Sequence, residues 1–339
     1  MSSSAKLRVG FIGAGGNTRL RHLPGFAAIN GIELAAVANR SIESAQAVAQ
    51  EFGITEAKAT WREIVDDPAI DAVCIGTWPN THAEMTIAAL EAGKHVLVEA
   101  RMARNVAEAR AMAAAAKCHP QQIAQIVPSP FTLDADAVIA QLIAKGELGE
   151  LREVVSEFRC NATVDPTLPL SWRLDQAISG VNTMALGICY EPLLRWIPGD
   201  AKVIATDARI FTRNRLLGDG SAGLVEIPES LTVLGEWAGG ERLVMHQSSV
   251  DHGPGYGCFR IVGSKSTLTF DVFAQQLTRI DSTGNSCVIE FEKRPNGGWM
   301  VEKQFVNSIR CGTPVSLTDF KSGVRYMEFS DAVWQAWNA

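Results

Sequence analysis

The sequence predicts an α/β protein, with an N-terminal doubly wound parallel sheet followed by a C-terminal α+β domain on a large, mostly antiparallel, open-faced sheet. Three observations predict it. Strand-length apolar runs alternate with helical stretches over the first 127 residues, a Gly-rich turn joins the first run to its helix, and beyond Leu151 strands separated by Gly-rich turns take over. A chain of 339 residues has room for two cores, and a hydrophobic content of 47% fills them. Val127-Pro128-Ser129-Pro130 breaks regular structure, so the expected domains are 1–127 and 128–339.

The first strand, Leu7–Ile12, carries Val9 and Ile12 and runs into Gly13-Ala14-Gly15-Gly16 and then a helix. Gly13 allows a sharp turn, and Gly15 and Gly16 let backbone N–H groups of the turn, with Asn17, approach a pyrophosphate at the positive end of that helix. The third position of the G-x-G-x-x-G pattern is Thr18, whose bulk implies a looser packing or a rearranged turn. An ordinary Gly-rich strand–helix turn has the same spacing. The next two elements favour the nucleotide reading, because Glu33–Ala38 is a second strand and Ser41–Phe52 a helix with Ala45, Val48, Ala49 and Phe52 on one stripe. The second strand ends in Asn39-Arg40-Ser41, without the carboxylate that commonly holds an adenosine 2′-hydroxyl. Arg40 can pair with a 2′-phosphate and Ser41 can donate to it, so NADP is the expected cofactor, with NAD the alternative. Strands over Ala69–Gly76, His95–Val98 and Ile123–Val127, with an Ala-rich helix at Glu108–Lys117, complete a Rossmann-type domain.

Composition excludes other classes. The net charge is −6 and no Lys/Arg-rich run occurs, so nucleic acid is not an expected partner. There is no apolar run of 18 residues, and Met1–Lys6 is a polar start without a hydrophobic signal core, so the expectation is a cytoplasmic chain without a membrane. Seven scattered cysteines without C-x-x-C spacing fit reduced thiols, and the six histidines form no ligand pair, so no metal is expected.

In the second half a helix spans Asp134–Lys145 up to Gly146. Strands follow at Leu151–Cys160, Ser230–Trp237, Glu241–Val250, Phe259–Val262 and Thr267–Phe270. Further helices are expected around Trp172–Trp196 and at Phe320–Trp337. An open sheet face suggests a homodimer or homotetramer, since large apolar faces are seldom left in water.

Taken together, these residues resemble the Gfo/Idh/MocA family of NAD(P)-dependent oxidoreductases over nearly the whole chain. Asp71–Ala103 is similar to the run from the family's T-P-N-x-x-H turn to its E-K-P motif, with Thr77 and His82 at the ends of the turn, Trp78 in place of Pro, and Glu99 as the motif's Glu. The resemblance implies that this run lines the nicotinamide side of the cofactor. Ser171-Trp172-Arg173 resembles the family's W-R, and Gly180–Pro198 its G-G-x-x-x-D-x-G-x-H helix; Phe305–Ile309 resembles its ending. It implies a substrate-binding and oligomerisation role for 128–339. The departures are equally specific. The catalytic Lys falls on Ala100, the next Pro on Arg101, the helix Asp on Ala185 and the acid/base His on Cys189.

Hydride transfer between an alcohol and a carbonyl needs a group that handles the hydroxyl proton, worth about 10²–10⁴ in rate. Cys189, Tyr190 and Glu191 are the candidates at the old His position, and Arg101 can clamp a carboxylate or an oxyanion. Cys189 also reads as a buried small apolar residue. Tyr190 needs a nearby cation to titrate usefully. For the substrate the candidates are Arg101, Trp172, Arg173, Asn182, His252 and Tyr256. Trp172 also reads as core, Asn182 as a cap, and the His252–Tyr256 turn as a plain hairpin connection. Three functions remain open: an oxidoreductase acting on a small polyhydroxylated or carboxylated substrate such as a sugar, inositol or sugar acid; cofactor-assisted elimination; or a catalytically silent nucleotide-binding sensor.

Overall fold

Residues 6–339 are described by the computed structural model, so the polar start Met1–Lys6 lies outside the described residues except for Lys6. The chain forms two units. The first holds the chain up to Pro128 together with Met300–Val324, and the second holds Ser129–Trp299 and Arg325–Ala339. A single boundary at 127/128 therefore misses the return of 300–324 to the first unit.

Six parallel strands make the first unit's sheet: β1 (Leu7–Ile12), β2 (Ile32–Ala38), β3 (Glu56–Lys58), β4 (Ala72–Ile75), β5 (His95–Val98) and β6 (Ala124–Ile126), in the order β3-β2-β1-β4-β5-β6. The order reverses at β1, which pairs with β2 on one side and β4 on the other, the switch point at which open α/β sheets place their ligands. The strands are apolar on both sides because helices cover both faces, so Val9, Phe11, Val37, Val73, Ile75 and Val98 are all buried. After β1 comes a π-helical turn, Thr18–His22, continuous with α1 (Leu23–Ala27). Four more helices are α2 (Ile42–Phe52), α3 (Trp61–Val65), α4 (Pro79–Glu91) and α5 (Val106–Cys118). Their starts follow sequence signals. Ser41 accepts from the Ser44 N–H, Asn105 from the Glu108 N–H, and Thr60 with Glu63 closes a capping box. The helix Val301–Cys311 delivers Phe305 to this core, where Phe26 packs edge-on against Phe11 at 5.7 Å and against Phe305 at 6.3 Å.

In the second unit, α6 (Asp136–Ala144), α7 (Gln176–Ser179) and α8 (Leu186–Trp196) accompany β7 (Leu151–Arg159), β8 (Lys202–Arg209), β9 (Asn214–Leu216), β10 (Ala222–Leu224), β11 (Ser230–Glu236), β12 (Arg242–Ser248), β13 (Tyr256–Gly263), β14 (Ser266–Asp271), β15 (Gln276–Asp281) and β16 (Ser286–Ile289). Eight of these strands form one sheet, β16-β15-β14-β13-β7-β12-β11-β8, antiparallel except where β7 meets β12. Burial alternates along β11, β12 and β13, so one face is core and the other is not. Trp196 of α8 packs edge-on on Phe259 at 5.2 Å, which puts the helices on the Phe259 face. The long helix expected around Trp172–Trp196 is broken. A 3-10 turn at Trp172–Leu174 and the short α7 precede α8, with Gly180 at φ +64 between α7 and α8.

One ion pair inside this unit is sealed. Arg215 and Glu229 have side-chain exposures of 1% and 0% and meet at 3.0 Å, while the guanidinium also donates to the carbonyls of Thr163, Asp165 and Leu168, and Glu229 accepts the N–H groups of Phe211 and Thr212. Removing one partner leaves the other charge buried without compensation. Glu229→Ala is expected to lower stability by about 3–5 kcal/mol in chemical denaturation, against well under about 1 kcal/mol for the exposed Arg62–Glu84 pair.

Candidate nucleotide site

The turn after β1 is built by close approach. Gly13 has φ +82, and a Cβ there would stand 2.6 Å from Thr77 Cγ2 and 2.9 Å from Thr77 N, so no other residue fits. Thr18, too large for the third position of the glycine pattern, is accommodated because Gly76 faces it: a Cβ on Gly76 would lie 2.1 Å from Thr18 Oγ1. The Thr18 hydroxyl donates to the Gly13 carbonyl at 3.2 Å. The looser packing that its bulk implied is thus taken up by a glycine on the neighbouring strand and by the π-helical widening of the turn. Gly15, Gly16 and Asn17 are exposed, and a Cβ on Gly16 would meet nothing within 4 Å. This is an open cradle at the switch point, fit for a pyrophosphate.

Asn39 occupies the place of the usual carboxylate and does a different job. Its Oδ1 accepts the Ala14 N–H at 2.8 Å and its Nδ2 donates to Ser44 Oγ at 3.0 Å, tying the turn to the start of α2. Ser41 caps α2 with its hydroxyl, and the exposed Arg40 lies with its guanidinium 4.9 Å from the Trp78 ring centre. Trp78, expected on the nicotinamide side, therefore shares a surface with Arg40 at the end of β2. Thr77 accepts a hydrogen bond from Thr81 at 2.8 Å.

Beneath the turn is a buried chain of charge that the sequence did not reveal. Asn17 Nδ2 donates to Glu99 Oε1, His22 Nε2 meets the same oxygen at 3.0 Å, and His22 Nδ1 meets Glu302 Oε1 at 2.6 Å. Burial opposes a proton on His22, but the hydrogen bonds and charges of Glu302 and Glu99 outweigh it and raise its pKa to about 9. Burial pushes Glu99 up, and His22, Asn17 and the Ala100 N–H more than reverse this, leaving it below the usual carboxylate range. His22 sits on the same helical stretch as the apolar Leu23 and Phe26, a weak signal for burial, and Glu302 lies 280 residues away.

His82, for which the sequence leaves open a structural role or a place at the nicotinamide, has the surroundings of the structural one. It is fully buried, its ring nitrogens facing the carbonyls of Arg101 at 2.9 Å and Thr77 at 3.1 Å; burial lowers its pKa, and the neutral ring donates to one of them at a time. It shapes the turn and offers no group to a ligand. Arg101 is itself 5% exposed.

Two catalytic expectations in the second unit are also corrected. Tyr190 is fully buried and stacked on Phe329 at 3.8 Å, and its hydroxyl accepts the Ala201 N–H at 2.9 Å. Burial, chiefly, pushes its pKa to about 12, so it is a core residue with no proton to exchange near neutrality. Cys189 is fully buried in α8, as its apolar reading had it. Glu191 is held by Arg195 at 2.9 Å and by the Ser129 N–H at 3.1 Å.

Of the substrate candidates, Asn182 is 3% exposed and donates to the Ser179 carbonyl at 2.7 Å, which makes it a local brace. Arg173 is exposed with its guanidinium 4.2 Å from the half-buried Trp172 ring. His252 is exposed on its turn. Tyr256 lies opposite Arg159, 5.3 Å from ring centre to guanidinium, on the sheet face away from Phe259. Ala185 instead bonds Gln247 on the buried face. The structure therefore does not bring Tyr256 together with the start of α8. The Tyr256 phenol is raised to about 12, first by its hydrogen bond with Cys258 and then by burial. Among the described residues no group of His, Cys, Asp and Glu could hold a metal ion, and no helix is long and apolar enough to cross a membrane.

The chain matches the model of an oxidoreductase family with an NAD-binding Rossmann fold, GFO_IDH_MocA, over residues 7–125, and the model of the GFO/IDH/MocA C-terminal domain over residues 137–269. It is 27% identical to levoglucosan dehydrogenase of Pseudarthrobacter phenanthrenivorans over 69% of this chain and 64% of that protein. It is 32% identical to trans-1,2-dihydrobenzene-1,2-diol dehydrogenase of Bos taurus over 57% of this chain and 55% of that one. The matched segments thus span about half to just under two thirds of these relatives. A solved levoglucosan dehydrogenase in complex with NADH and L-sorbose superposes with a TM-score of 0.86 at 25% identity, covering 98% of this chain and 97% of that one.

Removing the Tyr190 hydroxyl is a test of its placement. Tyr190→Phe leaves the Ala201 N–H without its acceptor and is expected to lower stability by about 1–3 kcal/mol in denaturant unfolding, with nucleotide affinity unchanged. A loss of turnover without loss of stability would contradict the core assignment.

Proposed function

Because the chain belongs to the Gfo/Idh/MocA family of oxidoreductases, we propose that it is an NAD(P)-dependent dehydrogenase or reductase acting on a small polyhydroxylated or carboxylated substrate such as a sugar, inositol or sugar acid. The observation that carries this reading is the open Gly13–Thr18 turn at the sheet's switch point, with Glu99 hydrogen-bonded to it through Asn17. A nicotinamide dinucleotide, when bound, supplies the hydride acceptor or donor. The turn's backbone N–H groups bind the pyrophosphate, and Gly15 and Gly16 leave it room. Arg40, exposed and lying over Trp78, with Asn39 in place of a carboxylate, supports a preference for NADP over NAD. In the second unit the exposed Arg173 is the cation offered to a substrate carboxylate or developing oxyanion.

Proton handling is where this chain departs from its family. Ala100, Ala185 and the sealed Cys189 occupy the three positions, and the Tyr190 hydroxyl is engaged inside the core. That observation favours a second reading, a chain that binds the dinucleotide as a sensor without turnover. The helix-free sheet face, with the half-buried Val155, Leu234, Val244 and Val262, supports self-association as a homodimer or homotetramer.

The deciding experiment is a cofactor-reduction screen over sugars, inositols and their acids with NAD and NADP in parallel. Turnover supports the enzyme, and binding with no turnover supports the sensor. Gly15→Val is expected to abolish dinucleotide binding while the fold stands, since the new side chain enters the phosphate path. In binding titrations wild type is expected to hold NADPH more tightly than NADH. Arg40→Ala is expected to reduce that ratio about tenfold or more, and an unchanged ratio would rule Arg40 out.

A further inference from the structure

His22 carries no task in the function proposed above, yet it is fully buried and has a carboxylate at each ring nitrogen, Glu302 at Nδ1 and Glu99 at Nε2. A neutral imidazole donates from one nitrogen only and would turn a lone pair on the other carboxylate, so this geometry belongs to the imidazolium. Glu99 is fixed at both oxygens. Oε1 accepts from His22 and Asn17, and Oε2 accepts the Ala100 N–H at 3.1 Å. Asn17 is an exposed member of the glycine turn, so the chain of bonds runs from the helix Val301–Cys311 through His22 and the end of β5 into the cradle. Gly25 leaves the space for it, since a Cβ there would stand 2.6 Å from Glu302 Oε2.

We propose that His22 is a positioning residue of the nucleotide site, an imidazolium clamped between Glu302 and Glu99 that holds Glu99 against Asn17 and so presets the Gly13–Thr18 turn for a dinucleotide. The inference rests on the dinucleotide-binding reading above. It implies a pH dependence of binding. In the folded protein His22 holds its proton up to a pKa of about 9, so the clamp is intact around neutrality and is lost as pH rises through about 9. Besides Glu99 and Glu302, the Cys74 thiol and His82 are titratable groups set against this cluster. Burial, reinforced by the two carboxylates, raises Cys74 well above its usual range, and burial lowers His82, so neither changes charge between neutral pH and 9.

The test is equilibrium binding of NADH and NADPH, read by nicotinamide fluorescence, to wild type, His22→Gln, Glu302→Gln and Asn17→Ala, with melting temperatures measured alongside. His22→Gln and Asn17→Ala are expected to weaken binding about tenfold or more. Wild-type affinity is expected to be flat between pH 6.5 and 8 and to fall through about 9. In Glu302→Gln the fall moves to lower pH, because one carboxylate that holds the proton is gone. Variants that lose only thermal stability, keeping wild-type affinity and pH profile, overturn the proposal. If His22→Gln does not fold, the Glu302→Gln profile and Asn17→Ala decide it. A wild-type chain that binds neither dinucleotide overturns the underlying reading, a result visible before any variant is made.

Discussion

The His22 imidazole, buried with Glu302 on one nitrogen and Glu99 on the other, joins three distant parts of the first unit's chain: the stretch after the glycine turn, the end of β5 and the helix Val301–Cys311. A charge taken out of water must find opposite charge and hydrogen bonds at the same place, and only a settled fold supplies both. The same contacts reach the glycine turn. Glu99 draws in Asn17, and Gly25 makes room for Glu302. On the other side of the turn, Gly76 makes room for Thr18. The same requirement explains why 300–324 belongs with the first unit although more than 170 residues of another unit precede it.

The second unit meets the same requirement differently. Arg215 and Glu229 satisfy each other and, between them, five backbone groups, which fixes the chain around Thr163–Leu168 and Phe211–Thr212. Glu191, Arg195 and Asp136 form a further, partly buried ionic cluster between α6 and α8. Side chains that look reactive in the sequence thus turn out to be structural cement. Tyr190 belongs to this group, its ring on Phe329 and its hydroxyl on a backbone N–H.

Much of the fold was legible. The boundaries of β1 and β5 match the apolar runs, and β2 begins one residue earlier than its run at Ile32. Ser41 caps α2 as the serine before an amphipathic stripe implies. The strand expected over Ala69–Gly76 is shorter, Ala72–Ile75, since Gly76 turns away to meet Thr18. The short edge strand β3 has no apolar alternation and gave no signal. The single long helix expected around Trp172–Trp196 fails at Gly180, whose positive φ ends α7. In the site, the glycine turn and the missing carboxylate after β2 could be read directly. His82 could not be told from a ligand-facing histidine, because the carbonyls that hold it come from turns whose paths only folding brings together.

The sequence by itself determined what local geometry governs: the strand–turn–helix order of the first unit, the Gly13 turn that only glycine accepts, the alternating strands of the second, and the chemistry absent from positions 100, 185 and 189. The tertiary structure alone decided which polar groups are paired and which remain available. Periodicity and φ preference act over a few residues, whereas desolvation and ion pairing depend on neighbours that the chain brings together across long separations. Hence His22 and Glu302, 280 residues apart, meet at 2.6 Å in the interior, while Tyr190, a plausible acid in the sequence, is sealed in a core.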